Sequence, residues 1–379
     1  MDKIKVVFIQ DQLVCGGAEQ ALFDLTRLMD KERFDVTVLA QKPGGTWDRK
    51  FLDAGIRVIY DYSCRKSTWN PITKFQNMVK KIRTSNAYRH NGEGLLDVIC
   101  PEGVDIIVSY SMWDDILAGF GKRAKSVKYL HGNMGTNQAF RDLILRDREL
   151  LPRYDRIVCV SQMAKEAFVE ITGLSQNVQV HFNPIDSAQV HRLAQMRVDL
   201  PQDMPLICAV GRLAAEKGFE RLIVIHKRLY DQGIRHRLVI VGDGEDRDYI
   251  RRIVSAVDAE DSVILAGYQQ NPYPYMKQSR FLVSSSFTEG LPVIAMEALC
   301  LGLPMVASIP SVSEVFGEEV CGLITENDNK SLEAGIRRML TDAAFYDQCK
   351  AAAQRRSAYF DGKRMVREVE DMFLELVQE

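Results

Sequence analysis

Two rhythms of apolar residues alternate along the chain. Short runs rich in Val and Ile are separated by longer stretches whose apolar residues recur at helical spacing. In the first half the runs are Lys5–Ile9, Val36–Leu39, Val58–Tyr60, Ile106–Ser109, Val127–Leu130, Ile157–Val160 and Val178–Phe182. In the second half they are Leu206–Val210, Leu238–Val241, Val263–Leu265, Phe281–Ser284 and Met305–Ala307. Stretches such as Ala18–Met29 and Phe219–Tyr230 carry the helical pattern between them. A strand that is apolar on both sides belongs in a parallel sheet with helices on each face, so the expected class is α/β.

The alternation breaks once. Asn183-Pro184-Ile185-Asp186 is turn chemistry, and Pro201 and Pro205 frame the approach to a new strand. This places one Rossmann-like domain over 1–185 and a second over 186–361. The remaining segment, 362–379, reads as an amphipathic helix with Met365, Val366, Val369, Met372, Phe373 and Leu376 on its apolar face.

Composition narrows the function. The 379 residues suit two domains, and 46% apolar with 26% charged residues is ordinary for a globular chain with real cores. A net charge of −2 argues against a dedicated nucleic-acid binder. No apolar run reaches the ~18 residues that span a bilayer, and the N-terminus lacks a signal region. The eight cysteines (Cys15, Cys64, Cys100, Cys159, Cys208, Cys300, Cys321 and Cys349) are scattered without a Cys-x-x-Cys pair. Buried free thiols in a reducing cytoplasm are expected.

The densest chemistry lies in Ser286-Phe287-Thr288-Glu289-Gly290-Leu291-Pro292-Val293-Ile294-Ala295-Met296-Glu297-Ala298. It reads as a strand end, a glycine-containing loop and a helix with Pro292 at its first position, where the early N–H groups are free to meet an anion. Glu289 and Glu297 fall at different places along a ligand and do not form a close acid/base dyad. A nucleotide-sugar fits this spacing: one carboxylate for ribose hydroxyls, one for sugar hydroxyls, and the helix N-terminus for the diphosphate between. The plainer alternative is a capped surface helix with solvated glutamates.

In Val210-Gly211-Arg212-Leu213-Ala214-Ala215-Glu216-Lys217-Gly218-Phe219, a strand end leads into a helix near Lys217–Gly218. Ligands of open α/β sheets bind at such carboxyl ends. Arg212 and Lys217 supply two positive charges for a diphosphate, one as a bidentate fork and one as a point charge. No Asp-x-Asp pair ends a strand to hold a metal. Asp114-Asp115 and Asp243/Asp246 have the wrong spacing and read as a helix start and a polar turn. Gly242-Asp243-Gly244 lacks the third glycine of a dinucleotide fingerprint. The backbone near Tyr268, after the next strand, is a dock for a base edge or simply a packed loop.

In the first half, Gly16-Gly17-Ala18-Glu19 follows the first strand and opens a helix, where glycine lets backbone approach a ligand. His131-Gly132 ends the Val127–Leu130 strand and puts an imidazole at the rim. Neither His90, His181, His191, His226 nor His236 has such a setting, and no His/Cys/Asp group has zinc-ligand spacing.

Together these motifs resemble family 4 of the retaining glycosyltransferases, whose GT-B fold has two Rossmann-like domains with parallel sheets facing across a cleft. The resemblance runs from Gly16-Gly17-Ala18-Glu19 to the Glu289–Glu297 block, with four motifs in the family's order. It implies that Arg212 and Lys217 hold the diphosphate and that Glu297 binds the ribose. Glu289 with the backbone of Gly290, Leu291 and Pro292 would hold the transferred sugar. His131 would contact that sugar near the reacting centre, and Gly16 and Gly17 would approach the phosphates. The first domain would bind the acceptor, and the helix after Gly362 would cross back onto it. One departure is Asn183-Pro184-Ile185-Asp186, where many relatives have Asn-Gly-Val-Asp.

The expected activity is retaining transfer of a hexose or N-acetylhexosamine from a UDP-sugar to a glycan or lipid-linked acceptor, in bacterial polysaccharide or glycolipid assembly. It would need no metal or other cofactor. A non-hydrolysing nucleotide-sugar epimerase and an inactive glycosyltransferase-like subunit are the alternatives. Finally, 65–90 carries Arg65, Lys66, Lys74, Lys80, Lys81, Arg83 and Arg89 with no acidic residue, interleaved with Trp69, Ile72, Phe75, Met78, Val79 and Ile82. That pattern fits either an interfacial element on an anionic membrane, at the inner face of the cytoplasmic membrane, or a packed helix with a solvated basic face.

Overall fold

A computed structural model describes residues 2–14, 16–60, 102–110 and 124–379. The basic segment 65–90, Asp114-Asp115, Cys15, Cys64 and Cys100 lie outside the described residues. The chain divides into two compact units, Met1–Pro184 with Gly362–Glu379, and Ile185–Asp361.

The first unit holds β1 (Ile4–Gln10), β2 (Phe34–Ala40), β3 (Arg57–Tyr60), β4 (Ile106–Ser109), β5 (Lys125–Leu130), β6 (Arg156–Cys159) and β7 (Val178–Val180). They form one sheet in the order β3-β2-β1-β4-β5-β6-β7, with every pairing parallel. Because side chains alternate across a strand, each apolar run feeds two cores. Val6, Phe8, Val38, Val108 and Val127 enter one core, and Val7, Ile9, Leu39, Ile107 and Leu130 enter the other. The C-terminal helix Gly362–Gln378 belongs to the first of these cores, burying Val366, Val369, Met372, Phe373 and Leu376. Its Glu370 accepts the backbone N–H of Asp30 at 2.7 Å, which fixes the helix's register against the end of helix Gly17–Leu28.

The second unit holds β8 (Leu206–Val210), β9 (Arg237–Val241), β10 (Val263–Gly267), β11 (Phe281–Ser284), β12 (Met305–Ala307) and β13 (Gly322–Ile324). Their order is β10-β9-β8-β11-β12-β13, again parallel throughout. Strand β13 is absent from the sequence reading. It has three residues, ends on an exposed Ile324, and sits so close to β12 that a Cβ on Gly322 would lie 1.8 Å from the Met305 carbonyl. Too short for a periodicity, it exists because β12 offers it a ladder.

Chain order in both sheets turns back at the first strand, between β1 and β4 and between β8 and β11. Loops leaving two such neighbouring strands go to opposite faces, which opens a crevice at their carboxyl ends. Cys159, Cys208, Cys300, Cys321 and Cys349 are buried free thiols. Among the described residues no helix is long and apolar enough to cross a membrane.

Candidate active site

The switch point of the second unit brings together the loops that follow β8 and β11. After β8 come Gly211 and Arg212, a single 3-10 turn Ala215–Lys217, and then Gly218 with φ 63° before helix Phe219–Asp231. Only glycine serves at 218: the left-handed backbone is strained for other residues, and a Cβ there would lie 2.3 Å from the Ser285 carbonyl. That close approach joins the two loops. Ser285 Oγ donates to the Lys217 carbonyl at 2.9 Å, and the Phe287 N–H donates to the Glu216 carbonyl at 2.7 Å.

Lys217 Nζ forms an ion pair with Glu289 Oε1, which also accepts from Ser286 Oγ at 3.0 Å. The residues read as phosphate cation and sugar carboxylate are therefore in contact. Arg212 is more exposed and lies between two carboxylates, with Nη1 3.0 Å from Glu245 and Nη2 2.5 Å from Glu216. Exposed pairs of this kind are worth about 0–1 kcal/mol, so an arriving anion can replace them.

Pro292 corrects the sequence reading by one position. It is the N-cap, with ψ 114°, and the helix runs Val293–Cys300. Its ring lacks an N–H wherever it stands, and as N-cap it turns the chain sharply from the loop into the helix. The backbone N–H groups of Glu289, Gly290 and Leu291 have no hydrogen-bond partner among the described residues. With the first N–H groups of the helix they form a set of donors suited to an anion or to sugar oxygens.

Glu297 lies in the same helix, only 7% exposed, and accepts from the Tyr273 hydroxyl at 2.8 Å. Tyr273 opens helix Tyr273–Gln278 after β10 and was missed in the sequence, since nothing local links it to a glutamate 24 residues on. Tyr268 directly follows Gly267 at the end of β10, with its side chain half exposed. Asp243 forms a polar turn, accepting from the Gly244 N–H at 2.9 Å and from Arg247 at 3.1 Å. The turn is tied to the Arg212 loop through Leu213 N–H to Asp243 carbonyl and Asp246 N–H to Leu213 carbonyl, each 3.0 Å.

In the first unit, Gly16 caps helix Gly17–Leu28 at the end of the β1 loop. A Cβ on Gly16 would lie 2.3 Å from Glu19 Oε2, so glycine here leaves room for that carboxylate. Glu19 accepts from Gln10 at 2.8 Å, and burial raises its carboxyl above the ordinary range. Gly17 is the exposed first residue of the helix.

His131 directly follows β5, half-buried, with its ring nitrogens turned inward. Its ring packs 4.4 Å from Tyr110 and 5.9 Å from Tyr129, and neither ring nitrogen is exposed. Burial, with the charge of buried Lys128 in second place, pushes its pKa down to about 3, so the ring is neutral. Gly132 serves packing as well: a Cβ there would meet the Phe140 ring at 2.5 Å.

Sequence comparison agrees with this architecture. The pattern described as Glycosyl transferases group 1 matches residues 194–356, and that described as Glycosyltransferase Family 4 matches residues 15–189. Between them they account for most of the chain. It belongs to glycosyltransferase family 4. Among its relatives is the N-acetylgalactosamine-N,N'-diacetylbacillosaminyl-diphospho-undecaprenol 4-alpha-N-acetylgalactosaminyltransferase of Campylobacter jejuni. This enzyme is 29% identical over 223 residues, which are 58% of this glycosyltransferase and 60% of that one. An uncharacterized glycosyltransferase of Haemophilus influenzae is 22% identical over 370 residues, 95% of this chain and 97% of its own. The crystal structure of Anabaena Alr3699/HepE in complex with UDP and glucose shares the fold, with a TM-score of 0.74 at 17% identity over 98% of this glycosyltransferase and 100% of that chain. The fold class is GT-B, each unit being α/β with a parallel sheet.

Proposed function

We propose that this glycosyltransferase moves a hexose or N-acetylhexosamine from a UDP-sugar to a glycan or lipid-linked acceptor, with retention of anomeric configuration and without a metal. The observation that carries the reading is the β8/β11 switch point, where Arg212, Lys217, Glu289 and three partner-free N–H groups share one crevice. Arg212, Lys217 and the N-terminus of helix Val293–Cys300 hold the diphosphate and so do the work of a cation. Glu297, oriented by Tyr273, takes the ribose. Glu289 and the Gly290–Leu291 backbone take the sugar, and the backbone after Gly267 takes the base edge.

Once bound, the leaving diphosphate helps deprotonate the acceptor hydroxyl, and the acceptor oxygen attacks from the face the diphosphate leaves. The protein contributes orientation and stabilisation of the charge that develops on the leaving phosphate. A lipid-linked acceptor is supported by the Campylobacter relative, whose name carries diphospho-undecaprenol, and a UDP donor by the UDP-bound Anabaena structure. We place the reaction in bacterial surface polysaccharide assembly, at the inner face of the cytoplasmic membrane.

The test is a thermal-shift screen of UDP, GDP and their hexoses, followed by transfer assays with and without EDTA and NMR of the product. A donor bound to the folded state raises the melting temperature. Loss of activity in EDTA that returns with a divalent ion would end the metal-free reading. An inverted anomer would end retention.

A further inference from the structure

We propose that Arg221 is a positioning residue for the transfer reaction, holding the loop that presents Glu289 and the free N–H groups of Gly290 and Leu291; the role rests on the donor site argued above. Arg221 stands in the first turn of helix Phe219–Asp231 and is 6% exposed. Its Nε donates to the Ser285 carbonyl at 2.9 Å. Its Nη2 donates to the Ser285 and Ser286 carbonyls, to Ser308 Oγ at 2.9 Å and to Asn327 Oδ1 at 2.7 Å. Asn327 in turn donates to the Phe287 carbonyl at 2.8 Å, and the Phe287 ring lies 4.0 Å from the guanidinium carbon.

Three consecutive carbonyls, of Ser285, Ser286 and Phe287, are thus drawn to one side of the loop by Arg221 and Asn327. From another direction the Glu216 carbonyl holds the Phe287 N–H. The loop is clamped up to Phe287 and free of backbone bonds from Glu289 to Leu291. That division suits a stretch whose base must be rigid and whose tip must meet a ligand.

The choice of residue points the same way. Burying a cation is costly unless it is neutralised, yet among the described residues no carboxylate pairs with Arg221. Its hydrogen-bond acceptors are all dipoles, and the carboxylate of Asp328 acts on its charge without a hydrogen bond. An uncharged packing residue would fill the space without gripping the carbonyls.

The experiment compares wild type with Arg221→Met, Arg221→Lys and Asn327→Ala. The readouts are kcat and KM for the sugar nucleotide, UDP affinity by calorimetry, melting temperature, and amide hydrogen exchange across 285–292. Arg221→Met should leave UDP affinity within a few-fold and lower kcat at least tenfold. It should also speed exchange at Glu289–Leu291 more than elsewhere in the unit. Arg221→Lys should recover part of both effects, and Asn327→Ala should reproduce them more weakly. A lower melting temperature with unchanged kcat, KM and local exchange would show Arg221 to be a packing residue and overturn the proposal. If Arg221→Met does not fold, wild-type kcat and exchange in Asn327→Ala and in Phe287→Ala would overturn it equally. A wild type that neither binds nor uses any nucleotide-sugar overturns the donor-site reading. The exchange measurement still reads the loop separately.

Discussion

Lys217 and Glu289 are 72 residues apart in the chain and ion-paired in the fold. Each neutralises the other at the bottom of the β8/β11 crevice, so the site is partly self-satisfied before any ligand arrives. Their side chains retain 25% and 19% exposure, which leaves both within reach of a ligand. A diphosphate competes for Lys217, and a sugar hydroxyl can donate to the Glu289 carboxylate.

Lys217→Ala separates these roles. The pair is partly solvated, so its loss costs at most about 1 kcal/mol of stability. A charge-assisted contact to phosphate contributes about 1.5–3 kcal/mol, so UDP affinity should fall roughly tenfold to a hundredfold, with a comparable loss in Arg212→Ala. Calorimetry and thermal unfolding on the same samples check this. Unchanged UDP affinity in both variants would remove the phosphate assignment.

Tyr273→Phe takes from Glu297 its hydroxyl donor at 2.8 Å. Leaving a buried carboxylate short of a partner costs about 1–3 kcal/mol, read as a lower melting temperature. If Glu297 takes the ribose, the variant binds UDP more weakly than wild type but binds inorganic pyrophosphate equally well. Equal losses for both ligands would argue that Glu297 does not read the ribose.

Gly218→Ala places a methyl 2.3 Å from the Ser285 carbonyl in a backbone of φ 63°. The strain of the left-handed conformation alone costs about 1–3 kcal/mol, and the collision pushes the Ser285–Glu289 loop outward. Both stability and kcat should fall, measured by urea unfolding and by transfer assay. A fully active variant would show that the loop contact is dispensable.

His226 and His236 form a buried chain in the second unit: His226 Nδ1 lies 2.8 Å from His236 Nε2, and His226 Nε2 lies 2.9 Å from Ser262 Oγ. Burial pushes the His226 pKa down to about 3 and lowers that of His236. The unfolded chain binds these protons below about pH 6.5 while the folded chain does not. Their contribution is therefore complete above that pH and is lost as pH falls towards 3. The urea midpoint should drop between pH 7 and pH 5, and His226→Asn should flatten that dependence. An equally steep dependence in the variant would assign it to other groups.

Much of the fold was legible in local pattern. The runs Ile106–Ser109, Leu206–Val210, Phe281–Ser284 and Met305–Ala307 match observed strands at both ends, because strands buried on both faces must be apolar at nearly every position. Arg212, Lys217, Glu289 and Glu297 could be singled out because strand ends of α/β sheets are where ligands bind. Arg221 and Tyr273 could not. An arginine on a helix and a tyrosine after a turn carry no local mark of their partners, which are 64 and 24 residues away. His131 was visible as a strand-end residue, while the packing of its ring against Tyr110 and Tyr129 depends on β4 lying beside β5.

The sequence by itself determined the alternation of strands and helices, the turn at Asn183–Asp186, the apolar face of the last helix and the residue types at the strand ends. These follow from the interactions of each residue with near neighbours and with water. Tertiary structure alone decided that β8 lies beside β11, with β9 and β10 on its other side. That order brings Lys217 onto Glu289, puts Arg221 under Ser285 and Ser286, and gives β13 a strand to pair with. Such contacts depend on how crossovers pack on the two faces of a twisted sheet, a choice made by the whole core and by no single segment.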